Sequence, residues 1–325
     1  MVGEGLLCEA AGSGDCATIR SLLSSDADPS YFDRNGMTPL MHASKQGHAE
    51  AVRCLLEAGA PWNALSPSNL SAGDFALEAG HKEVVDILID AGIRAELILG
   101  TVTRENKNDY NKAYLEDRVT FSEDRLMDSS SKAIMMAWER PLMEAHAKAI
   151  CSGGNHILNI GFGMGLMDAA IQQYKPVTHT IVEAHQDVYR HMIHIGWGEK
   201  ENVKIVFARW QDAVSELGSY DGIFFDTYEE HYEDLREFHK LLPKLLKPGG
   251  VYSFFNGLCG GNAFFHVVCC HMVSLELEKI GYSTQFIPLP VKECLGEKVW
   301  ESVQHKYWQL DTYYLPICQS LEESD

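Results

Sequence analysis

The chain has 325 residues, 46% of them hydrophobic and 22% charged, with a formal net charge of −19. That length leaves room for about two domains of ordinary globular composition. So acidic a chain lacks the basic surplus needed to neutralise phosphates, which argues against a nucleic-acid partner.

No apolar run approaches the ~18 residues of a membrane span, so no membrane association is expected. The start MVGEGLLCEAAG lacks the basic residues of an export signal. Nine cysteines without such a signal read as reduced thiols. None has the CxxC spacing of a zinc site, so no metal is expected. The expected location is cytoplasmic, with the nucleus as the alternative compartment. The first hundred residues hold 14 acids and 6 bases (−8), leaving −11 for the remainder. Both parts would favour a basic partner.

From the N-terminus, the first feature is a repeat. Gly14, Gly47 and Gly80 are 33 residues apart, and Leu22-Leu23, Leu55-Leu56 and Leu88-Ile89 keep the same interval. The fullest unit is DRNGMTPLMHASKQGHAEAVRCLLEAGAPWNA at 33–64, where Thr38-Pro39-Leu40 opens one helix, Gly47-His48 turns the chain and Val52 to Glu57 forms a second. This resembles an ankyrin repeat. The outer units are degenerate, the third having Ser71-Ala72 in place of Thr-Pro, as expected of capping units with one stacked neighbour. His42, His48 and His81 read as local structural histidines. The repeats are expected to fill residues 1–98 and to present a surface to a partner.

A polar connector follows at 99–132, with Asp128 to Ser131 as loop and Tyr114 and Phe121 as aromatic islands. Such aromatics either anchor the segment or cover a ligand. Residues 133–151 have helical periodicity, with Pro141 in the helix's first turn and Glu139 at its N-terminus. By position alone, Glu139 is a first-turn acid favoured by the helix dipole.

Residues 157–185 carry the chemistry. Ile157 to Ile160 reads as a buried strand, and glycines follow at 161, 163 and 165. A helix is expected over Leu166 to Gln173, ended by Lys175-Pro176, and a second strand, Thr178 to Val182, leads to Glu183. Strand, glycine loop, helix, strand and terminal acid make a unit that binds a nucleoside-containing cofactor at the carboxyl ends of parallel strands. The last glycine comes one place early for G-x-G-x-x-G, which weakens a dinucleotide reading. Later strands are expected at Val203–Ala208, within Tyr220–Tyr228 (ending in the acid Asp226), and at Val251–Asn256, Ser283–Leu289 and Tyr307–Cys318. Helices are expected over Leu235–Leu246 and up to Ile280. This order describes an open doubly wound sheet of seven strands.

The glycine loop, Glu183, Arg209-Trp210-Gln211-Asp212 and Leu245-Leu-Lys-Pro-Gly-Gly250 together resemble class I S-adenosylmethionine-dependent methyltransferases. Further motifs narrow the resemblance: Met135-Met-Ala-Trp-Glu-Arg-Pro141, Glu183-Ala-His185, Phe225-Asp-Thr-Tyr228, Glu230-His-Tyr232 and Ser253-Phe-Phe-Asn-Gly-Leu258. These are similar to the guanidinoacetate methyltransferase group, and within it to the arginine N-methyltransferase 2 (type IV, δ-N) branch. That branch joins ankyrin repeats to this catalytic domain. The fold implied is α/β, a Rossmann-like seven-stranded methyltransferase sheet over residues 133–325, preceded by an all-α ankyrin domain.

The resemblance implies S-adenosyl-L-methionine as cofactor, held by Tyr114, Met135, Phe162, Gly163, Met164, Gly165, Leu166, Met167, Glu183, Ala184, His185, Trp210, Gln211 and Asp226. It implies Glu139 and Asp226 as the carboxylates that hold a guanidino group. Glu183 is suited to accept ribose hydroxyls. Trp210 or its neighbours suit an adenine, though a core role for Trp210 is the alternative. Asn159 replaces the motif acid of the guanidinoacetate enzyme, which bears on the substrate more than on methyl transfer. The implied function is methylation of the δ nitrogen of arginine in a protein such as a ribosomal protein, recruited by the repeats. The alternatives are methylation of a small guanidine and a non-catalytic ankyrin adaptor.

Overall fold

A computed structural model describes residues 2–103, 110–153, 155–228 and 232–321. The motif residues Glu230 and His231 lie outside the described residues. Two compact units divide the chain. The first comprises Met1–Asn106 and Cys259–Met272; the second comprises Lys107–Leu258 and Val273–Asp325.

In the first unit, α1 (Val2–Ser13) and α2 (Cys16–Leu23), α3 (Pro39–Lys45) and α4 (Ala49–Glu57), and α5 (Ala72–Glu78) and α6 (Lys82–Thr103) form three helix pairs. Their starts follow from capping chemistry. The Thr38 hydroxyl accepts from the Met41 amide at 3.2 Å. Ser71, standing where Thr-Pro falls in the fuller unit, accepts from the Asp74 amide at the same distance. The histidines are structural. His42 Nε2 lies 2.8 Å from Asp33, while His48 and His81 reach back to the carbonyls of Gly12 and Lys45 at 3.1 and 3.2 Å. Each of the last two ties one repeat to its predecessor.

Cys259–Met272 lies within the sequence span expected of the catalytic domain, yet it packs with the repeats. Buried Asp74 is the anchor: Oδ2 accepts from Asn262 Nδ2 at 2.8 Å and Oδ1 from the Phe264 amide at 3.1 Å. Trp62 meets the rings of Phe264 and Phe265 edge-on. Gly73 leaves room for Phe264, because a Cβ there would lie 2.1 Å from its ring.

The second unit begins with α7 (Tyr110–Glu116) and a small antiparallel sheet of β1 (Thr120–Phe121), β2 (Arg125–Met127) and β3 (Ala133–Met136). After α8 (Arg140–Cys151) come β4 (His156–Ile160), α9 (Leu166–Gln173), β5 (Thr178–Glu183), α10 (Gln186–His194), β6 (Val203–Phe207), α11 (Trp210–Ala213) and β7 (Tyr220–Phe225). Then follow α12 (Tyr232–His239), α13 (Leu242–Leu245), β8 (Leu246–Phe254), α14 (Ala263–Glu278), of which the part up to Met272 belongs to the first unit, β9 (Tyr282–Pro290) and β10 (Thr312–Ser320). The main sheet has seven strands in the order β6-β5-β4-β7-β8-β10-β9. The first five are parallel and β10 is antiparallel to both neighbours. Strand order reverses between β4 and β7, which opens a crevice at their carboxyl ends. One face is built on Leu158, Ile160, Ile223 and Phe254, the other on Ile157, Ile181 and Phe224.

The seven-stranded sheet and the repeats match the expected fold class, with four local corrections. Residues 133–136, whose spacing belongs to a run of helical periodicity, are a strand: Leu126 pairs with Met135 and Arg125 with Met136. The expected helix 235–246 is broken after His239. Pro243 has no N–H for a fourth-residue bond and its ring would clash with that carbonyl, so a new turn starts instead. The strand expected from Val251 begins earlier, at Leu246, so the Lys247-Pro-Gly-Gly250 run lies within β8. The last strand starts at Thr312, where pairing with Pro290 begins, so Tyr307 lies outside it.

Asp74→Ala would leave the Phe264 amide and the Asn262 side chain without their acceptor. It should destabilise the repeat unit by on the order of 3 kcal/mol. Hydrogen exchange at the Phe264 amide should accelerate; unchanged exchange there would show that Asp74 does not hold the segment.

Candidate functional site

A pocket of roughly 630 Å³, including its mouth, opens at the carboxyl ends of β4, β5, β6 and β7. Ligand sites in open parallel sheets commonly lie at this place. Its lining brings together Tyr114, Met135, Gly163, Glu183, Ala184, Trp210, Gln211 and Asp226, all expected from sequence.

Gly161 sets the spacing at its centre. Its amide donates to the Val182 carbonyl at 2.9 Å, and the Asp226 amide donates to the Ile160 carbonyl at 2.9 Å. With φ at +94°, a Cβ on Gly161 would lie 1.8 Å from the Asp226 carbonyl oxygen. Only glycine lets the β7 end come this close.

Glu183 closes the β5 side. One carboxylate oxygen accepts from the Phe162 amide at 2.9 Å and the other from the His185 amide at 2.6 Å. Burial pushes its carboxyl up, against the pull of those backbone donors. Each oxygen of an ionised carboxylate has a second acceptor direction, so Glu183 suits a ligand with neighbouring hydroxyls. Apolar Ile160, Val182 and Ala208 flank it.

Other expected residues act from behind the wall. Phe162 is fully buried with its ring edge-on to Trp197. Phe162, Met164, Gly165, Leu166, Met167 and His185 do not line the pocket. Met167 and Leu166 instead anchor α9 in the core, and His185 caps α10 by accepting from the Asp187 amide at 3.2 Å. Trp210 meets both readings: its ring is edge-on to Phe225 and Phe238 in the core, and it also borders the pocket. Asn159, at the motif-acid position, is fully buried and donates to the Gly161 carbonyl and Asp168 at 2.8 and 2.9 Å. It braces the loop and does not reach the pocket.

Tyr114 covers the opening. Its ring lies 4.7 Å from that of His185 and 4.9 Å from that of Tyr228, and burial pushes its hydroxyl well up. Sequence analysis missed Tyr228 as a lining residue, although Phe225-Asp-Thr-Tyr228 carried the signal. It also missed Leu115, Ile134, Arg209 and Thr227. Ile134 needed β3 to be recognised as a strand.

Asp226 and Glu139 are the two unusual groups. Burial alone pushes the Asp226 carboxyl up to about 7. Glu139 sits in a short turn before α8, only 2% exposed. Its carboxyl is pushed up to about 8, first by burial and then by the charge of Asp226, against donors from Tyr307 and Met136. Its Oε1 accepts from the Met136 amide at 2.9 Å and from the Tyr307 hydroxyl. Glu139 does not line the pocket. Among the described residues, neither carboxyl is paired with a Lys, Arg or His side chain. Two buried acids without a cation form a place for a planar cation with several N–H groups.

Among the described residues, no group of three or more His, Cys, Asp or Glu side chains could hold a metal. No helix is long and apolar enough to cross a membrane.

The chain is similar to three fungal proteins, each called protein arginine N-methyltransferase 2. The Aspergillus oryzae protein is 34% identical over 70% of this chain and 57% of its own length. The Aspergillus fumigatus protein is 37% identical over 64% and 50%, and the Saccharomyces cerevisiae protein 35% identical over 63% and 52%. The chain thus spans about half the length of the curated relatives it matches. Residues 7–97 match a three-copy ankyrin-repeat model, and residues 102–267 match the model of guanidinoacetate N-methyltransferase. A methyltransferase family implies a methyl donor. The chain therefore belongs to the guanidinoacetate N-methyltransferase family, in a form that carries ankyrin repeats ahead of the methyltransferase sheet.

Proposed function

We propose that this protein transfers a methyl group from S-adenosylmethionine to a guanidino nitrogen of an arginine side chain in a protein. The observation that carries this reading is the cation-free pair of buried carboxyls, Glu139 and Asp226, at the edge of a pocket suited to a nucleoside. The names of the relatives support protein arginine as the substrate. Resemblance to the type IV branch supports the internal δ nitrogen and ribosomal proteins as the substrate class, and the repeats are the recruiting surface.

When bound, S-adenosylmethionine supplies a methyl group activated on a sulfonium sulfur. The protein's own residues handle the other reactant. Guanidinium is a poor nucleophile, because it is charged and its nitrogen electrons are delocalised. Glu139 and Asp226, once ionised, accept its N–H groups from two sides and draw positive charge away from the attacking nitrogen. Asp226, at the end of β7 and lining the pocket, orients that nitrogen towards the methyl. As the N–C bond forms, the nitrogen's proton passes to a carboxylate oxygen of Asp226, whose raised pKa suits it to accept a proton near neutrality. The product keeps the guanidinium charge. Alignment of the two reactants supplies much of the rate.

Asp226→Asn should lower turnover by about 10²–10⁴-fold while cofactor affinity, measured by calorimetry, falls much less. Unchanged turnover would remove Asp226 from the chemistry. With labelled cofactor, a basic-protein extract should be labelled in preference to guanidinoacetate, and mass spectrometry should place the methyl on the δ nitrogen. Labelling of guanidinoacetate instead would favour a small-guanidine enzyme, and no cofactor binding would favour an adaptor.

The raised carboxyls also predict a pH dependence of stability. Their folded pKa values of about 7 and 8 lie above the roughly 4 of unfolded Asp and Glu. Between those limits the native state holds more protons, so their contribution to stability falls as pH rises. Glu139→Gln removes one contributor. Its melting temperature relative to wild type should rise by a few degrees between pH 5 and pH 8; a constant difference would show that Glu139 titrates normally.

A further inference from the structure

Tyr307 lies in the long connection between β9 and β10, over residues 291–311. Long connections inside a compact unit are uncommon and are usually functional. This one is firmly seated. Val291, Trp300 and Trp308 are buried with Trp138, Met136 and Leu142, around the turn that carries Glu139. The Gln304 amide donates to the Ser131 carbonyl at 2.9 Å, and Arg125 Nη1 donates to the Glu301 carbonyl at 2.5 Å.

Two hydrogen bonds meet at the Tyr307 hydroxyl. Trp138 Nε1 lies 2.9 Å away, and Glu139 Oε1 is the other partner. An indole N–H can only donate. The Tyr307 oxygen must therefore accept from Trp138, and its own hydroxyl donates to Glu139 Oε1. The direction of the relay is fixed: Trp138 to Tyr307 to Glu139. Glu139 Oε1 also accepts from the Met136 amide at 2.9 Å. Two donors thus converge on one oxygen. Any proton that Glu139 carries must sit on Oε2, and Oε2 is the oxygen left to receive a substrate N–H.

We propose that Tyr307 is a positioning residue for the substrate-holding carboxylate: by filling Oε1 it fixes the rotamer of Glu139 and presents Oε2 as the single acceptor for the guanidinium. This rests on the guanidinium reading of Glu139. Glu139 would then grip its substrate through one oxygen, without a two-oxygen fork, and its protonation would be tuned from a different part of the chain. The phenol keeps its proton throughout, since burial and the neighbouring carboxylate push it well above its usual range. The titratable groups facing Glu139 are Asp226 and Tyr307. His146, two turns along α8, is engaged by Ser253 and Tyr313 at 2.7 and 2.9 Å.

The test is a carbon-13 NMR titration of the glutamate carboxyls in the full chain bound to S-adenosylhomocysteine, with Glu139 assigned through Glu139→Gln. Tyr307→Phe keeps the ring and removes the donor. The Glu139 midpoint should rise by about one pH unit, and labelling of the basic-protein extract should show roughly tenfold weaker substrate affinity, with its rising pH limb moved by the same amount. Incorporation of 3,5-difluorotyrosine at position 307 keeps the shape and makes the hydroxyl a stronger donor, so the midpoint should move down. A merely packing role would not produce opposite shifts. An unmoved Glu139 midpoint in both proteins overturns the proposal, whatever happens to activity. The two readings fail separately: a wild-type protein that labels no arginine would sink the arginine reading, while the midpoints still report on Tyr307.

Discussion

Keeping two carboxyl groups out of water, with no cation paired to either among the described residues, is the constraint on which the rest of this site depends. Asp226 and Glu139 each lose hydration, and the charge of Asp226 further raises the cost of ionising Glu139. Such an arrangement is unfavourable by itself. It becomes favourable only when a cation with several N–H donors enters, because that cation supplies both the opposite charge and the hydrogen bonds. In the function proposed above, affinity for a guanidinium and the cost of its absence are two aspects of one arrangement.

The neighbouring structure maintains that condition. Gly161 brings the end of β7 against the end of β4, so Asp226 lies at the rim of the cofactor pocket and away from open solvent. Tyr114 and Tyr228 close the pocket from above. Trp138, Trp300 and Tyr307 enclose Glu139 with aromatic rings. Glu183 differs from both acids. Backbone amides at each of its oxygens hold it, as suits a group that receives hydroxyls and not a cation.

The first unit has a different physical logic. Its helices are set by local capping and by histidines that reach one repeat back, so its stability is built from neighbour contacts. Asp74 extends that logic to a segment nearly two hundred residues away in sequence. It caps its own helix and simultaneously accepts from Asn262 and Phe264.

The repeat period, the glycine loop, the α9 helix and the strand ending at Glu183 were legible in the chain alone, whereas the pair Glu139 and Asp226 came from the family resemblance of consecutive motifs. Each rests on short-range chemistry: a cap, a positive φ, a buried apolar run, or a motif spelled in consecutive residues. Other features depended on partners distant in sequence. Ala133–Met136 has a pattern that fits a helix, and only pairing with Arg125–Met127 makes it a strand. Phe162 and Met167 belong to a cofactor motif by position, but packing turns their side chains into the core. Tyr307 reads as the start of a strand, yet strand pairing begins five residues later and frees it to reach Glu139. The sequence by itself determined the glycines and acids available to the site, because those residues are set by local backbone and charge chemistry, and family resemblance singled out Glu139 and Asp226 among them. Only the tertiary structure decided which of them are dehydrated, which face the pocket and which hydroxyl orients Glu139, because dehydration and hydrogen-bond direction depend on what lies across space.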